Sequence, residues 1–376
     1  MQLPDFRLET HFARWEFRAE HHLTASDAES MAMSDLLAMA TDEQRAAYED
    51  LWLGYTETWG GPEVRRAVAG MYDTVAPDQV LCFAGASEAI FAANNVLLDR
   101  DSHAVVVTPN YQSHETLPLA ICDATGVPLD PDDGWSLDID RVAAAIRPNT
   151  RLVTINFPHN PTGAILPRDR YDALIELCRH HGIHILHDEI FNGLGPTGTE
   201  HLPYIADVYE KGLSINVVSK AWGLPGLRIG WIASPDLDVL SRMERMKHYL
   251  SICNSGPSEH LAVIAIEHRD RIVARNCAIV DDNLPKWDAF FATHPDRFDW
   301  QRPDGSCMGF PRYLGDDGVE SFCRRLVEDA GVLLLPSTIY RTELGDSIPD
   351  RFRLGYGRTG LDAGLAAITA HLDGDG

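Results

Sequence analysis

Five polar residues could share one charged ligand: Tyr111, Asn160, Asp188, Lys220 and Arg228, together with the tripeptide Gly85-Ala86-Ser87. An acid, a lysine, an aromatic ring and an arginine can hold such a molecule and move protons on it, if the fold brings them together. Each lies at or just beyond the end of a short apolar run. The runs are VLCFAG (80–85), HAVVVTP (103–109), RLVTINFP (151–158), HILHDE (184–189), SINVVSK (214–220) and RIGWIAS (228–234). Apolar and rich in β-branched residues on both faces, they read as strands buried in a mainly parallel sheet. Helical stretches such as SEAIFAANNVLL (87–98) and RDRYDALIELCRHH (168–181) lie between them. This alternation predicts a doubly wound α/β domain, whose ligands sit beyond the carboxyl ends of the strands. The last two runs are joined by a short loop, so an edge strand is expected to be antiparallel.

The flanks read differently. Residues 1–45 form an aromatic and acidic arm that contributes to a small domain, 46–285 the large sheet domain, and 286–376 the rest of the small domain. The expected class is therefore α/β: a large, mainly parallel sheet domain with helices on both faces, plus a smaller α+β domain built from both termini. A length of 376 residues and 45% hydrophobic content allow a core of that size. The formal charge of −24 repels phosphate backbones and anionic bilayers, so neither nucleic acid nor membrane is an expected partner. The N-terminal text lacks the basic and apolar segments of a secretory signal. Seven scattered cysteines without a C-x-x-C pair fit a reducing cytoplasm.

Two other motifs fail on context. GYGRTG (355–360) matches the dinucleotide fingerprint, but too little chain follows it to build a βαβ unit. It reads as a glycine turn after a strand. The histidines of HHGIHILHDE do not make a metal site, because His184 and His187 fall on opposite faces of a strand. His21-His22 reads as a surface pair. No P-loop, G-x-S-x-G or H-E-x-x-H occurs.

The blocks YTETWGGPEVRRAVAGMY, GASEAI, TPNYQSH, NFPHNPTG, HDEIF, VVSKAWGLPGLRIGW and FRLGYGR occur in an order that resembles the fold-type I pyridoxal-phosphate enzymes, within them the class I/II aminotransferase superfamily. The resemblance spans nearly the whole chain. It implies a seven-stranded sheet, pyridoxal 5'-phosphate as cofactor and a homodimer with shared active sites. Lys220 would hold the cofactor as a Schiff base until a free L-amino acid displaces it to form the external aldimine, and would then take the proton from Cα. Asp188 would pair with the pyridinium nitrogen. Tyr111 would lie over the ring, and Asn160 would donate to its phenolic oxygen beside the substrate. Gly85, Ala86, Ser87, Ser219 and Arg228 would hold the phosphate, with Tyr55 reaching in from a second subunit. Arg353 would clamp the substrate α-carboxylate.

The chain departs from that pattern at three places. Phe191 stands where the family has a tyrosine that bonds the phenolic oxygen, and Val217 replaces a phosphate-binding serine. The N-terminal LETHFARWEF and TASDAES resemble a subgroup that includes capreomycidine synthase, which cyclises a hydroxylated arginine. In that reading Glu9, Glu16, Asp27 and Glu29 meet a distal guanidinium or ammonium. The resemblance implies an aminotransferase acting on a cationic L-amino acid. The alternative is elimination and cyclisation of a hydroxylated arginine-like substrate. A non-catalytic regulator is disfavoured by the retained Lys220 and by the absence of a helix-turn-helix before residue 45.

Overall fold

The computed structural model describes residues 2–374. Helix α1 (Arg7–Trp15) is followed by the seven strands of the main sheet. These are β1 (Val80–Phe83), β2 (His103–Thr108), β3 (Asp123–Pro128), β4 (Thr150–Asn156), β5 (His184–Asp188), β6 (Gly212–Val217) and β7 (Gly230–Ala233). Their order is β1-β7-β6-β5-β4-β2-β3. All six apolar runs contribute a strand. The seventh, β3, has the text DATGVP, sits at the edge and is mostly half-exposed, so it lacks the apolar signature of the others.

The expectation of an antiparallel edge strand is corrected. The reversed strand is β7, which runs antiparallel to both β1 and β6 and lies inside the sheet. This reversal matters for the site, because it brings the start of β7 to the edge where the parallel strands end. Arg228, just before β7, thereby joins residues that follow β1, β2, β4, β5 and β6. Gly230 allows this close packing: a Cβ there would lie 2.9 Å from the backbone nitrogen of Ala86.

Helices cover both faces. The twelve-residue α2 (Ala86–Leu97) starts directly after β1 and packs on one face, with Ala89, Ala92 and Ala93 fully buried. Arg168–His181 covers the other face through Tyr171, Leu174, Ile175 and Cys178. The stretch MSDLLAMATDEQRAAYEDL (33–51) holds two short helices, Met33–Leu37 and Asp42–Glu49. Thr41 breaks it by capping the second, its hydroxyl accepting from the Gln44 amide.

The two ends of the chain meet in a second layer. His21–His22 pairs in parallel with Val332–Leu333, and Phe352–Gly355 pairs antiparallel with both Met308–Gly309 and Leu335–Pro336. This layer sets the segment 22–29 beside the loop 355–359. No helix among the described residues is long and apolar enough to cross a membrane.

Candidate active site

A cavity of about 410 Å³ opens at the carboxyl edge of the sheet. Ala86, Ser87, Tyr111, Asn160, Asp188, Ser219, Lys220 and Arg228 all line it. Gly85 stands just behind. Its φ of 100° suits glycine, and a Cβ there would meet the Arg228 guanidinium at 2.5 Å.

Asp188 ends β5 opposite Asn156, the last residue of β4. Its Oδ2 lies 2.9 Å from His114 Nε2, while His114 Nδ1 lies 3.0 Å from Thr154 Oγ1. The carboxylate is thus buried, oriented and supported from behind. Asn156 acts as a splint: its amide donates to the Asp188 carbonyl at 2.7 Å, and its Oδ1 accepts from the Asn160 backbone at 2.9 Å. Asn160 Oδ1 in turn accepts from Tyr340 and Arg353, leaving the amide hydrogens to face the cavity. Burial and the nearby Glu9 carboxylate push the Tyr111 phenol up to about 12, so it stays protonated, 3.4 Å from Glu9 Oε1.

Lys220 is one of four lysines in the chain and the only one on this cavity wall. Its Nζ donates to Ser26 Oγ at 3.0 Å. Burial lowers its pKa, and Arg353 adds to that against the opposing pull of Asp27. A lysine released from its proton is the form that can act as nucleophile or base.

The anion cradle fits a phosphate. Ser219 Oγ is buried on the cavity wall without a hydrogen-bond partner. A hydroxyl left so costs stability unless a ligand satisfies it. Arg228 donates only weakly to the Pro225 and Ala84 carbonyls, and no carboxylate is within ion-pair distance among the described residues. The first amides of α2 complete an anion site. Val217 and Phe191 line the same wall and offer no hydroxyl.

The second wall comes from α1 and the segment after it: Leu8, Glu9, Phe12, Glu16, His22 and Asp27. Several expectations need correction here. His22 is not a surface residue; it lines the cavity, with Nδ1 buried and unpartnered. Burial, Arg358 and Arg353 hold its imidazole down to about 4, so it is neutral at pH 7. Asp27 is at the cavity, but its Oδ2 already accepts from Arg358 at 2.7 Å. Although burial pushes the Asp27 carboxyl up, Lys220 and Arg358 outweigh that and keep it below its usual range. Glu29 is turned away, bound to the amide and hydroxyl of Thr359. Arg353 is fully buried directly behind that wall, its guanidinium 5.9 Å from the Phe12 ring and bonded to Asn160 at 3.2 Å. Tyr55, whose expected place is a second subunit's site, is 90% exposed and stands away from this chain's own cavity.

His114 and Arg358 were missed in the sequence. His114 carries no motif beyond following Tyr111 by three residues, and Arg358 hides in the glycine turn GYGRTG. The histidines of HHGIHILHDE have separate duties: His184 lies 3.0 Å from Asp236, and His187 lies 3.0 Å from Glu189.

Sheet order, anion cradle, buried carboxylate and lysine place the molecule among the pyridoxal-phosphate-dependent enzymes, and pyridoxal 5'-phosphate is the cofactor these residues fit. More narrowly, the chain belongs to the family "Aminotransferase class I and II", whose model matches residues 23–363. It is 33% identical to capreomycidine synthase of Streptomyces vinaceus over 319 residues, 83% of this chain and 79% of that one. It is 33% identical to the arginine–pyruvate transaminase AruH of Pseudomonas aeruginosa over 206 residues, 51% of each chain. The solved structure of the PLP-dependent cyclase OrfR superposes with a TM-score of 0.90 at 28% identity, covering 100% of this chain and 99% of the other.

Proposed function

We propose that this enzyme acts on a free L-amino acid with a cationic side chain, Lys220 taking the proton from Cα. The observation that carries the substrate class is the pair Glu9 and Glu16 on the α1 wall. Neither has an arginine or lysine within ion-pair distance among the described residues. Glu9 meets the Tyr111 hydroxyl, and Glu16 meets only the neutral His22, at 4.0 Å. Burial raises the Glu16 pKa, so its carboxylate gains when a cation joins it in the cavity. The name of the arginine–pyruvate transaminase, a relative over half the chain, supports the same class.

Pyridoxal phosphate supplies an electron sink that acidifies the bonds to the substrate Cα. Asp188, oriented by His114, holds the pyridine nitrogen. Arg228, Ser219, Ser87 and the start of α2 hold the phosphate, with Gly85 and Ala86 giving the backbone room to do so. Tyr111 and Asn160 confine the ring. Lys220, whose lowered pKa suits it to the task, accepts and returns the proton. Glu9 and Glu16 fix the distal cation and so set the distance between it and Lys220.

Transamination is the primary outcome proposed. Elimination followed by ring closure is the second, favoured by the likeness to capreomycidine synthase over 83% of this chain. Incubation with L-arginine and its hydroxylated derivatives, with and without a keto-acid acceptor, separates the two. Product that appears only with acceptor supports transamination. A product lacking one water, formed without acceptor, establishes cyclisation instead.

The active unit proposed is a homodimer. Trp52, Leu53 and Tyr55 are 88%, 81% and 90% exposed in one short segment, an apolar surface suited to a second copy. Tyr55 would then serve the partner's phosphate site. Seven free cysteines support a reducing cytoplasm as the compartment.

A further inference from the structure

We propose that Ser26 is the positioning residue for Lys220: its hydroxyl holds the free lysine amine at the place from which it takes the Cα proton. This assignment rests on the reading of Lys220 as the base at Cα.

The contact is the one side-chain hydrogen bond that Lys220 makes among the described residues. Its Nζ donates to Ser26 Oγ at 3.0 Å, across 194 positions of the chain. Ser26 stands where the two walls of the cavity meet, lines that cavity beside Lys220 and is 7% exposed.

Backbone bonds on either side of Ser26 fix it there. The Gly355 amide donates to the Leu23 carbonyl at 2.8 Å, the Ala28 amide to the Lys220 carbonyl at 3.1 Å, and the Glu29 amide to the Gly357 carbonyl at 2.8 Å. One short segment thus grips Lys220 at both ends, its carbonyl through Ala28 and its amine through Ser26. Two glycines let the chain come so close. A Cβ on Gly355 would run into the Ala25 carbonyl, and one on Gly223, whose φ is 65°, would stand 2.5 Å from the Glu29 carbonyl.

A lysine side chain rotates more freely than most, and that freedom must be given up before its amine can face Cα. A bond to a fixed hydroxyl orders the amine beforehand. A hydroxyl also suits the task better than an acid, because it orients the amine without adding a charge that would keep it protonated. Burial lowers the Lys220 pKa and Arg353 adds to this, while Asp27, Cys307 and Glu9 oppose it. Asp27, the strongest of these three, is itself held by Arg358 at 2.7 Å.

The test uses Ser26→Ala, which removes the hydroxyl, and Ser26→Thr, which keeps it. With the holoenzyme, exchange of the Cα hydrogen of L-arginine for solvent deuterium is followed by NMR. Ser26→Ala should slow the exchange on the order of 10- to 100-fold, while the L-arginine concentration giving half the maximal rate stays close to that of wild type. Ser26→Thr should restore most of the rate. A second readout needs no substrate: apoenzyme is recombined with pyridoxal 5'-phosphate over a range of pH, and covalent attachment is followed by absorbance. In Ser26→Ala the plateau rate should fall, because the amine is no longer aligned. The pH midpoint should move down, because the charged amine has lost an acceptor while Asp27, Arg353, Cys307 and Glu9 are unchanged. Exchange at the wild-type rate in Ser26→Ala overturns the assignment. If wild type exchanges no hydrogen of L-arginine, the cationic-substrate reading fails and the recombination profile decides for Ser26: identical profiles in wild type and Ser26→Ala overturn its role. Exchange that persists in Lys220→Ala contradicts the reading of Lys220 as the base, and the assignment with it.

Discussion

The two walls of the cavity are built on different principles. The cofactor wall comes from residues that follow the ends of five parallel strands and precede a sixth, reversed one. Backbone pairing sets their spacing: Asn156 opposite Asp188, and Val217 opposite Gly230. The substrate wall comes from α1, the segment 22–27 and the turn at 357–358, tied by side-chain bonds such as Arg353 to Thr24 and Arg358 to Asp27. The first wall is rigid because its positions are properties of the sheet. The second depends on single charged contacts, so it can change specificity without disturbing the chemistry. Substitutions on the first wall should therefore abolish function, and those on the second should redirect or weaken it.

The largest effect is expected at Lys220. Lys220→Ala should lose the visible absorbance of lysine-bound cofactor and turnover together, the latter by a factor of at least about 1,000. An unchanged spectrum would break the description of the cofactor wall.

On the second wall, the neutral His22 makes stability depend on pH. Its imidazole has a pKa of about 4 in the fold and 6.5 when free, with burial the main cause and Arg358 and Arg353 adding to it. Asp27 pulls the other way without prevailing, and Glu16 Oε1 lies 4.0 Å from the His22 Nε2. The unfolded chain therefore binds more protons between pH 4 and 6.5. Stability from this source is full above about 6.5 and is lost as pH falls towards 4. His22→Phe should flatten the dependence by about 2 to 3 kcal/mol between pH 7 and 4.5, read by denaturant unfolding. An equal slope in wild type and variant would show that His22 is not held neutral.

The same division explains how much the sequence reveals. Apolar runs bounded by polar residues locate six strands and, with them, Tyr111, Asn160, Asp188, Ser219, Lys220 and Arg228 on the cavity. Strand β3 escapes because DATGVP is a half-exposed edge with a glycine and a proline. The place of β7 escapes because a short loop shows reversal but not which neighbours the strand joins. The second wall is legible only as a stock of charges. Whether Asp27 is free or taken, and whether Arg353 or Arg358 faces the cavity, depends on contacts between residues more than 300 positions apart. Local text carries no such information. His114 is similar: it holds Asp188 across 74 residues, and nothing in TPNYQSH announces it.

The central claim is that Glu9 and Glu16 select a cationic side chain for a pyridoxal-phosphate site. The most direct measurement titrates the holoenzyme with L-arginine and with L-citrulline, which has nearly the same shape without the charge. L-arginine should bind tighter by a factor on the order of 10 to 100, and Glu16→Gln should remove most of that preference. Equal affinity for the two ligands in wild type, or a preference untouched by both Glu16→Gln and Glu9→Gln, would contradict the account.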